Sequence, residues 1–196
     1  MKILLSAFEP FGGEAINASL EAMKKIRPPA GADLKKIEIP TVFGLAGETL
    51  LKAVREEKPD VVICLGQASG RVAVTPERTA VNVRDAAIPD NAGQRPQDEP
   101  VVEDGPAAYF STLPIRDMTE ASLRAGFPAA VSYSAGTFVC NDLMYTLLHA
   151  SARDYPAMRC GFIHVPACAA PSGGAQTPVM PTEMAAASIE AMLAVL

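Results

Sequence analysis

Cys140 and His164 are the two side chains of this sequence whose types and spacing suit nucleophilic chemistry. The cysteine closes Ser134-Ala135-Gly136-Thr137-Phe138-Val139-Cys140, a glycine-containing turn that runs into a helical pattern. His164 stands 24 positions later, in the strand-like Gly161-Phe162-Ile163-His164-Val165-Pro166. A free thiol titrates near ~8.5 and must become a thiolate to attack a carbonyl. A helix N-terminus favours that charge, because its first N–H groups lack intrahelical acceptors and the dipole is positive there. The same N–H groups suit an oxyanion. A buried structural cysteine near a strand end is the competing reading.

The base follows by elimination, since the chain has two histidines. His149 falls nine residues along the helix expected to start near Cys140. At about 1.5 Å rise per residue its backbone would stand roughly 13 Å from that of Cys140. That leaves His164, which ends a separate strand and can approach from the neighbouring sheet position. A satisfied core histidine is the alternative for it. Among 22 acidic residues, nothing local selects a carboxylate to orient the imidazole.

The elements that must position these groups alternate between β and α patterns. Apolar runs at 3–7, 34–39, 61–65, 129–133 and 162–165 read as strands, as does the alternation of Thr79, Val81 and Val83. Helical spacing links Leu20, Met23 and Ile26. It also links Gly47, Leu50, Leu51 and Val54, then Ile115, Met118 and Ala121, and Leu143, Met144, Leu147 and Leu148. In a last helix Thr182 suits the cap, and Ile189, Met192, Leu193 and Leu196 share a face. Residues 86–106 read as a long functional loop.

This alternation predicts an α/β fold: a single domain over 1–196, with an open, mostly parallel twisted sheet and helices on both faces. Sites in such sheets gather at the carboxyl ends of strands, where Gly66-Gln67, 136–140 and His164-Val165-Pro166 all fall.

Composition narrows the function. The 196 residues are 49% hydrophobic and 20% charged, with a formal net charge of −5, so no basic footprint for nucleic acid or anionic lipid exists. Neither terminus reads as a secretory signal or a membrane span, which predicts a cytoplasmic protein. Cys64, Cys140, Cys160 and Cys168 lack metal-type spacing, and a reducing compartment would leave them as thiols. No cofactor or metal is implied.

Phe8-Glu9-Pro10-Phe11-Gly12-Gly13 places two aromatic rings on a loop after the first strand. Such faces suit a flat, neutral ring, with plain hydrophobic loop packing as the alternative. The glycine pair is no phosphate loop, since the full spacing and the Lys-Ser/Thr ending are missing.

Taken together, these segments resemble the type I pyroglutamyl peptidases. The likeness runs from 8–13 through Pro40-Thr41-Val42-Phe43, Gly66-Gln67-Ala68, Thr75-Pro76-Glu77-Arg78, Ile88-Pro89-Asp90-Asn91 and Gly105-Pro106-Ala107-Ala108-Tyr109. It continues through 134–142 and 161–166. The resemblance implies a cysteine exopeptidase that removes N-terminal pyroglutamate from peptides through a thioester acyl-enzyme. Cys140 would be nucleophile, His164 base and acid, and Glu77 the orienting carboxylate. Phe8 and Phe11 would flank the lactam ring, with Asn17, Gln67, Phe138 and Val139 around it. A homotetramer is also implied.

One position departs from the family pattern. Asp-Ala-Arg-Ile-Pro-Asp-Asn is usual, and here Ala87 replaces the arginine. A lost positive charge beside an oxyanion costs on the order of 10²-fold in rate. A non-catalytic or weakly active protein that binds pyroglutamyl or other peptide ends is therefore the second expectation.

Overall fold

The computed structural model describes residues 1–169 and 177–196. Strands β1 (Lys2–Phe8), β2 (Asp33–Ile39), β3 (Val61–Gln67) and β7 (Arg159–Val165) pair in parallel. Two-residue β4 (Thr75–Pro76) adds to β7 antiparallel, giving the order β2-β1-β3-β7-β4. A proline is tolerated there because β4 is an edge strand. Outside this sheet, β5 (Thr79–Val81) and β6 (Ala108–Phe110) form a short antiparallel ribbon.

The central strands are continuous apolar runs because both sheet faces are covered. Alternation assigns each residue to a face. Ile3, Leu5, Ala7, Val61, Ile63, Leu65, Ile163 and Val165 point into one core. That core is covered by α1 (Ala18–Lys25), α3 (Ile115–Arg124) and α5 (Thr182–Leu193). Leu4, Phe8, Val62, Cys64, Cys160 and Phe162 point into the other, beneath α2 (Leu45–Glu57) and α4 (Val139–Asp154). His164 follows Phe162 at the strand period of two and so faces the α4 side.

The single open, mostly parallel sheet with helices on both faces is as expected. Several details differ. Residues 129–133 form no strand: Ala129 and Ser132 make isolated parallel bridges to Val74 and Glu77. This apolar run follows the β4 edge without pairing continuously with it. Thr182 is the first helical residue of α5 and Pro181 takes the cap position, without a side-chain cap bond. Leu196 lies beyond that helix, and Val83 beyond β5. Part of the 167–181 segment, residues 170–176, lies outside the described residues.

β1 connects to β2 on one side and is bordered by β3 on the other. The carboxyl ends of β1 and β3 therefore flank a topological switch point, the usual ligand crevice of open α/β sheets.

Candidate active site

Gly136 adopts φ 81°, a conformation favouring glycine, and its N–H is held by the Ser134 hydroxyl. The chain then extends through Phe138, the N-cap of α4, placing Cys140 in the helix's first turn. The next two residues fix that turn. Asn141 is fully buried; its side chain accepts from the Val81 N–H and donates to the Val81 and Val83 carbonyls, each at 2.9 Å. Asp142, equally buried, accepts from the Gly44 N–H at 3.0 Å and Arg84 Nε at 2.6 Å. Arg84 is thereby committed to the helix and does not replace the arginine missing at Ala87.

His164 pairs across the sheet with Gly66. A Cβ on Gly66 would sit 3.0 Å from Cys140 Sγ and 2.7 Å from the Phe162 ring. The missing side chain is thus the space that brings the thiol to the histidine's strand. His164 Nδ1 meets Glu77 Oε1 at 2.7 Å, with both side chains buried. Glu77 is delivered by β4, and its N–H donates to the Phe162 carbonyl of β7 at 2.9 Å. Among the described residues His164 Nε2 has no hydrogen-bond partner, which leaves it for a thiol or a leaving group.

Electrostatics set the resting protonation. Burial would raise the Glu77 carboxyl, but the hydrogen bond and charge of His164, aided by Ser132 and then by the Arg71 charge, hold it below the usual carboxylate value. Burial lowers His164 despite the opposing pull of Glu77. Burial, with the Glu77 charge, pushes the Cys140 thiol up to about 12. Arg71 and the cysteine's own backbone N–H act in the opposite sense. Both shifts favour the uncharged forms, thiol for Cys140 and imidazole for His164.

The aromatic residues meet at the mouth. Phe138 is half-buried between Phe11 at 6.2 Å and Phe43 at 5.3 Å between ring centroids. Phe8 is almost fully buried below them, 6.3 Å from Phe162, and Val139 is wholly buried. Asn17 caps α1 by accepting from the Ser19 N–H, and donates to the Glu9 carbonyl at 3.1 Å. Gln67 Oε1 accepts from the Ala18 N–H at 2.7 Å, and its Nε2 donates to Ser69. A cavity of about 180 Å³ opens beside Phe11 and Gln67, with Glu14, Ile88, Ala167 and Cys168 also in its lining; Phe8, Asn17, Phe138, Val139, Cys140 and His164 do not line it. Its lining residues follow β1, β3 and β7, plus the long loop.

Three sequence blocks converge on this loop cluster. Glu9 Oε1 accepts from the Thr41 N–H and Asn91 Nδ2, while Asp90 Oδ2 accepts from the Phe43 N–H. A wider depression of about 350 Å³, bordered by Val54, Lys58 and Tyr155, lies at the amino-terminal sheet end and holds none of these residues.

Sequence reasoning missed Arg71, whose guanidinium contacts Glu77, and the roles of Asn141 and Asp142. Arg71 sits in an irregular loop and leaves no periodic signal. A polar pair directly after a helix-start cysteine is a visible one. Among the described residues no His/Cys/Asp/Glu group is arranged to hold a metal, and no helix is long and apolar enough to cross a membrane.

An open α/β sheet with a helix-terminal thiol beside a carboxylate-bound imidazole defines a cysteine hydrolase architecture. Comparison with known proteins narrows it. The pyroglutamyl peptidase family model matches residues 1–196. A pyrrolidone-carboxylate peptidase of Enterococcus faecalis is 55% identical over 167 residues, 85% of this chain and 78% of that protein. One from Streptomyces coelicolor is 49% identical over 195 residues, 98% of this chain and 90% of that protein. The crystal structure of Bacillus amyloliquefaciens pyroglutamyl peptidase I superposes with a TM-score of 0.94 at 41% identity, covering 98% and 95% of the two chains. The A199P mutant pyrrolidone carboxyl peptidase of Pyrococcus furiosus gives 0.93 at 42%, covering 100% and 97%. The chain belongs to the pyroglutamyl peptidase family.

Proposed function

We propose that this protein is a cysteine exopeptidase that hydrolyses the amide bond after an N-terminal pyroglutamyl residue. The observation that carries this reading is the 2.7 Å contact of Glu77 with His164 on the sheet face beneath Cys140. Family membership supports the substrate class and disfavours a purely binding protein.

Cys140 is the nucleophile. Its thiol passes the proton to His164 as sulfur attacks the carbonyl outside the lactam ring, and N–H groups of the α4 first turn receive the oxyanion. Glu77 holds Nδ1 protonated so that Nε2 is the accepting atom. His164 then protonates the leaving amine. Water, deprotonated by His164, releases pyroglutamate from the thioester. The lactam occupies the mouth: Phe11 and Phe138 supply aromatic faces, Phe8 and Val139 form its floor, and Asn17 and Gln67 fix the loops around it. A neutral lactam has no ammonium to anchor and suits aromatic faces with a few polar groups, which Phe11 and Phe138 at the mouth and Gln67 in the adjoining cavity supply. Cytoplasmic location and a homotetramer belong to the same reading.

Release of a chromogenic amine from a pyroglutamyl amide, beside prolyl and glutamyl amides, tests it. Turnover confined to the pyroglutamyl amide in wild type and lost in Cys140→Ser and His164→Ala is expected. A reduced, folded wild type without turnover would overturn the assignment.

A further inference from the structure

Glu77 Oε1 carries two hydrogen bonds from cationic or potentially cationic partners. His164 Nδ1 and Arg71 Nη1 each stand 2.7 Å away. The carboxylate is fully buried, and Oε2 has no partner among the described residues. Arg71 reaches it from the loop after β3 with its side chain 27% exposed. The same Nη1 donates to the Thr75 hydroxyl, and Thr75 pairs with His164 between β4 and β7. Arg71 therefore touches both the partner of His164 and the strand alongside it.

We propose that Arg71 is the positioning residue of this site, holding Glu77 ionised and keeping Oε1 turned toward His164 Nδ1. The proposal rests on the roles given above to Cys140, His164 and Glu77. A carboxylate in a dry site has two ways to fail. It can rotate, since nothing fixes Oε2, or it can take up a proton. A protonated Glu77 donates instead of accepting, which reverses the imidazole tautomer. Nε2 would then carry hydrogen and could not receive the thiol proton. An arginine stays charged throughout the working range, so it blocks the second failure as well as the first.

The groups facing Glu77 are Arg71 from the loop after β3, His164 from β7 and Cys140 from α4. Ser132 also faces it and helps hold the carboxyl low, while its hydroxyl donates to the Ser134 carbonyl at 3.3 Å. Arg71 is the fixed positive charge among them. It also favours the Cys140 thiolate and disfavours the His164 imidazolium.

Arg71→Gln keeps a hydrogen-bond donor and removes the charge, while Arg71→Lys keeps the charge. Both are measured beside wild type for kcat and KM on a pyroglutamyl amide between pH 5 and 9. Iodoacetamide alkylation of Cys140 over the same range, with thermal unfolding, completes the set. In Arg71→Gln, kcat is expected to fall about tenfold to hundredfold, part of the about 10²–10⁴ that acid–base catalysis supplies. KM stays near the wild-type value, because Arg71 is not part of the lactam mouth. The acidic limb of kcat moves up by about one pH unit, and the alkylation rate of Cys140 at a given pH falls about tenfold because less thiolate is present. Arg71→Lys restores most of the limb. An unmoved acidic limb and an unchanged alkylation rate in Arg71→Gln would overturn the proposal, even if the variant were less stable. Should wild type cleave no pyroglutamyl amide, the alkylation rate still decides Arg71, and only the substrate assignment falls.

Discussion

The Cβ that Gly66 lacks would lie 3.0 Å from the Cys140 sulfur. Gly66 is also the cross-strand partner of His164. One glycine on β3 therefore sets how closely helix α4 brings its thiol to the histidine strand.

Gly66→Ala is expected to damage both packing and chemistry. The added methyl would also meet Phe162 Cζ at 2.7 Å, and the ring is buried beneath α4 with little room to retreat. Overpacking of this kind costs about 1–3 kcal/mol. A displacement of the proposed nucleophile by about 1 Å costs on the order of 10²-fold in rate. Thermal unfolding and kcat/KM on a pyroglutamyl amide, measured together, check the two effects. Wild-type kinetics in the variant would show that the thiol does not depend on this gap.

The parts of this arrangement differ in how far the sequence displays them. β1, β3 and β7 are legible because strands buried on both faces must be apolar throughout, and alternation then places His164 with Phe162 on the α4 side. Cys140 is legible because the Gly136 turn precedes a long amphipathic helix. Glu77 is invisible to local pattern, since a two-residue edge strand delivers it and only pairing with β7 gives it a place. The family resemblance supplied what periodicity could not. The run 129–133 misleads in the opposite sense: only Ala129 and Val131 pack against the core, Tyr133 is exposed, and the backbone makes only isolated bridges. Asn17 shows one residue under two demands, because its side chain is already engaged in capping α1 and holding the Glu9 carbonyl.

Acid should destabilise the fold in two steps. His164 is depressed in the folded state, so the unfolded chain takes up its proton first as pH falls below about 6.5. Its contribution is present above that value and lost as pH falls through the lower folded pKa. Glu77 is depressed as well, so its contribution is present above about 4.3 and disappears below that. Chemical denaturation from pH 4 to 8 should show stability declining from about 6.5. His164→Gln should remove the first step and also weaken the second, because the His164 hydrogen bond and charge are the main causes that hold Glu77 low. A pH-independent wild type across 5 to 7 would contradict the buried, neutral imidazole.

Alkali should act through Cys64. Burial pushes this thiol up to about 12, within the core beneath α2 and α4. The unfolded chain releases its proton from about 8.5, so the contribution is whole below that pH and is lost progressively toward 12. The slope is about 1.4 kcal/mol per pH unit for each such thiol. Cys64→Ala lowers overall stability by leaving a small void, but its stability between pH 9 and 11 should fall less steeply than that of wild type. Equal slopes would remove Cys64 as the source.

Asp142 tests whether the start of α4 is held in place or simply forms there. The helix has no side-chain cap, and Asp142 instead ties its first turn outward to the Gly44 N–H and Arg84 Nε. Asp142→Ala leaves the half-buried Gly44 N–H and a largely buried guanidinium without their acceptor. Breaking a buried pair from one side costs about 3–5 kcal/mol, and the partial exposure of Arg84 brings the expected loss to about 2–3 kcal/mol. Asp142→Asn keeps an acceptor for one donor and should lose less. Because the anchor lies two residues from Cys140, activity should fall beyond what the unfolded fraction explains. Alkylation of Cys140 on the folded fraction separates the two contributions. A normal alkylation rate in a destabilised Asp142→Ala would mean that Asn141 and the strand contacts alone are enough to place the thiol.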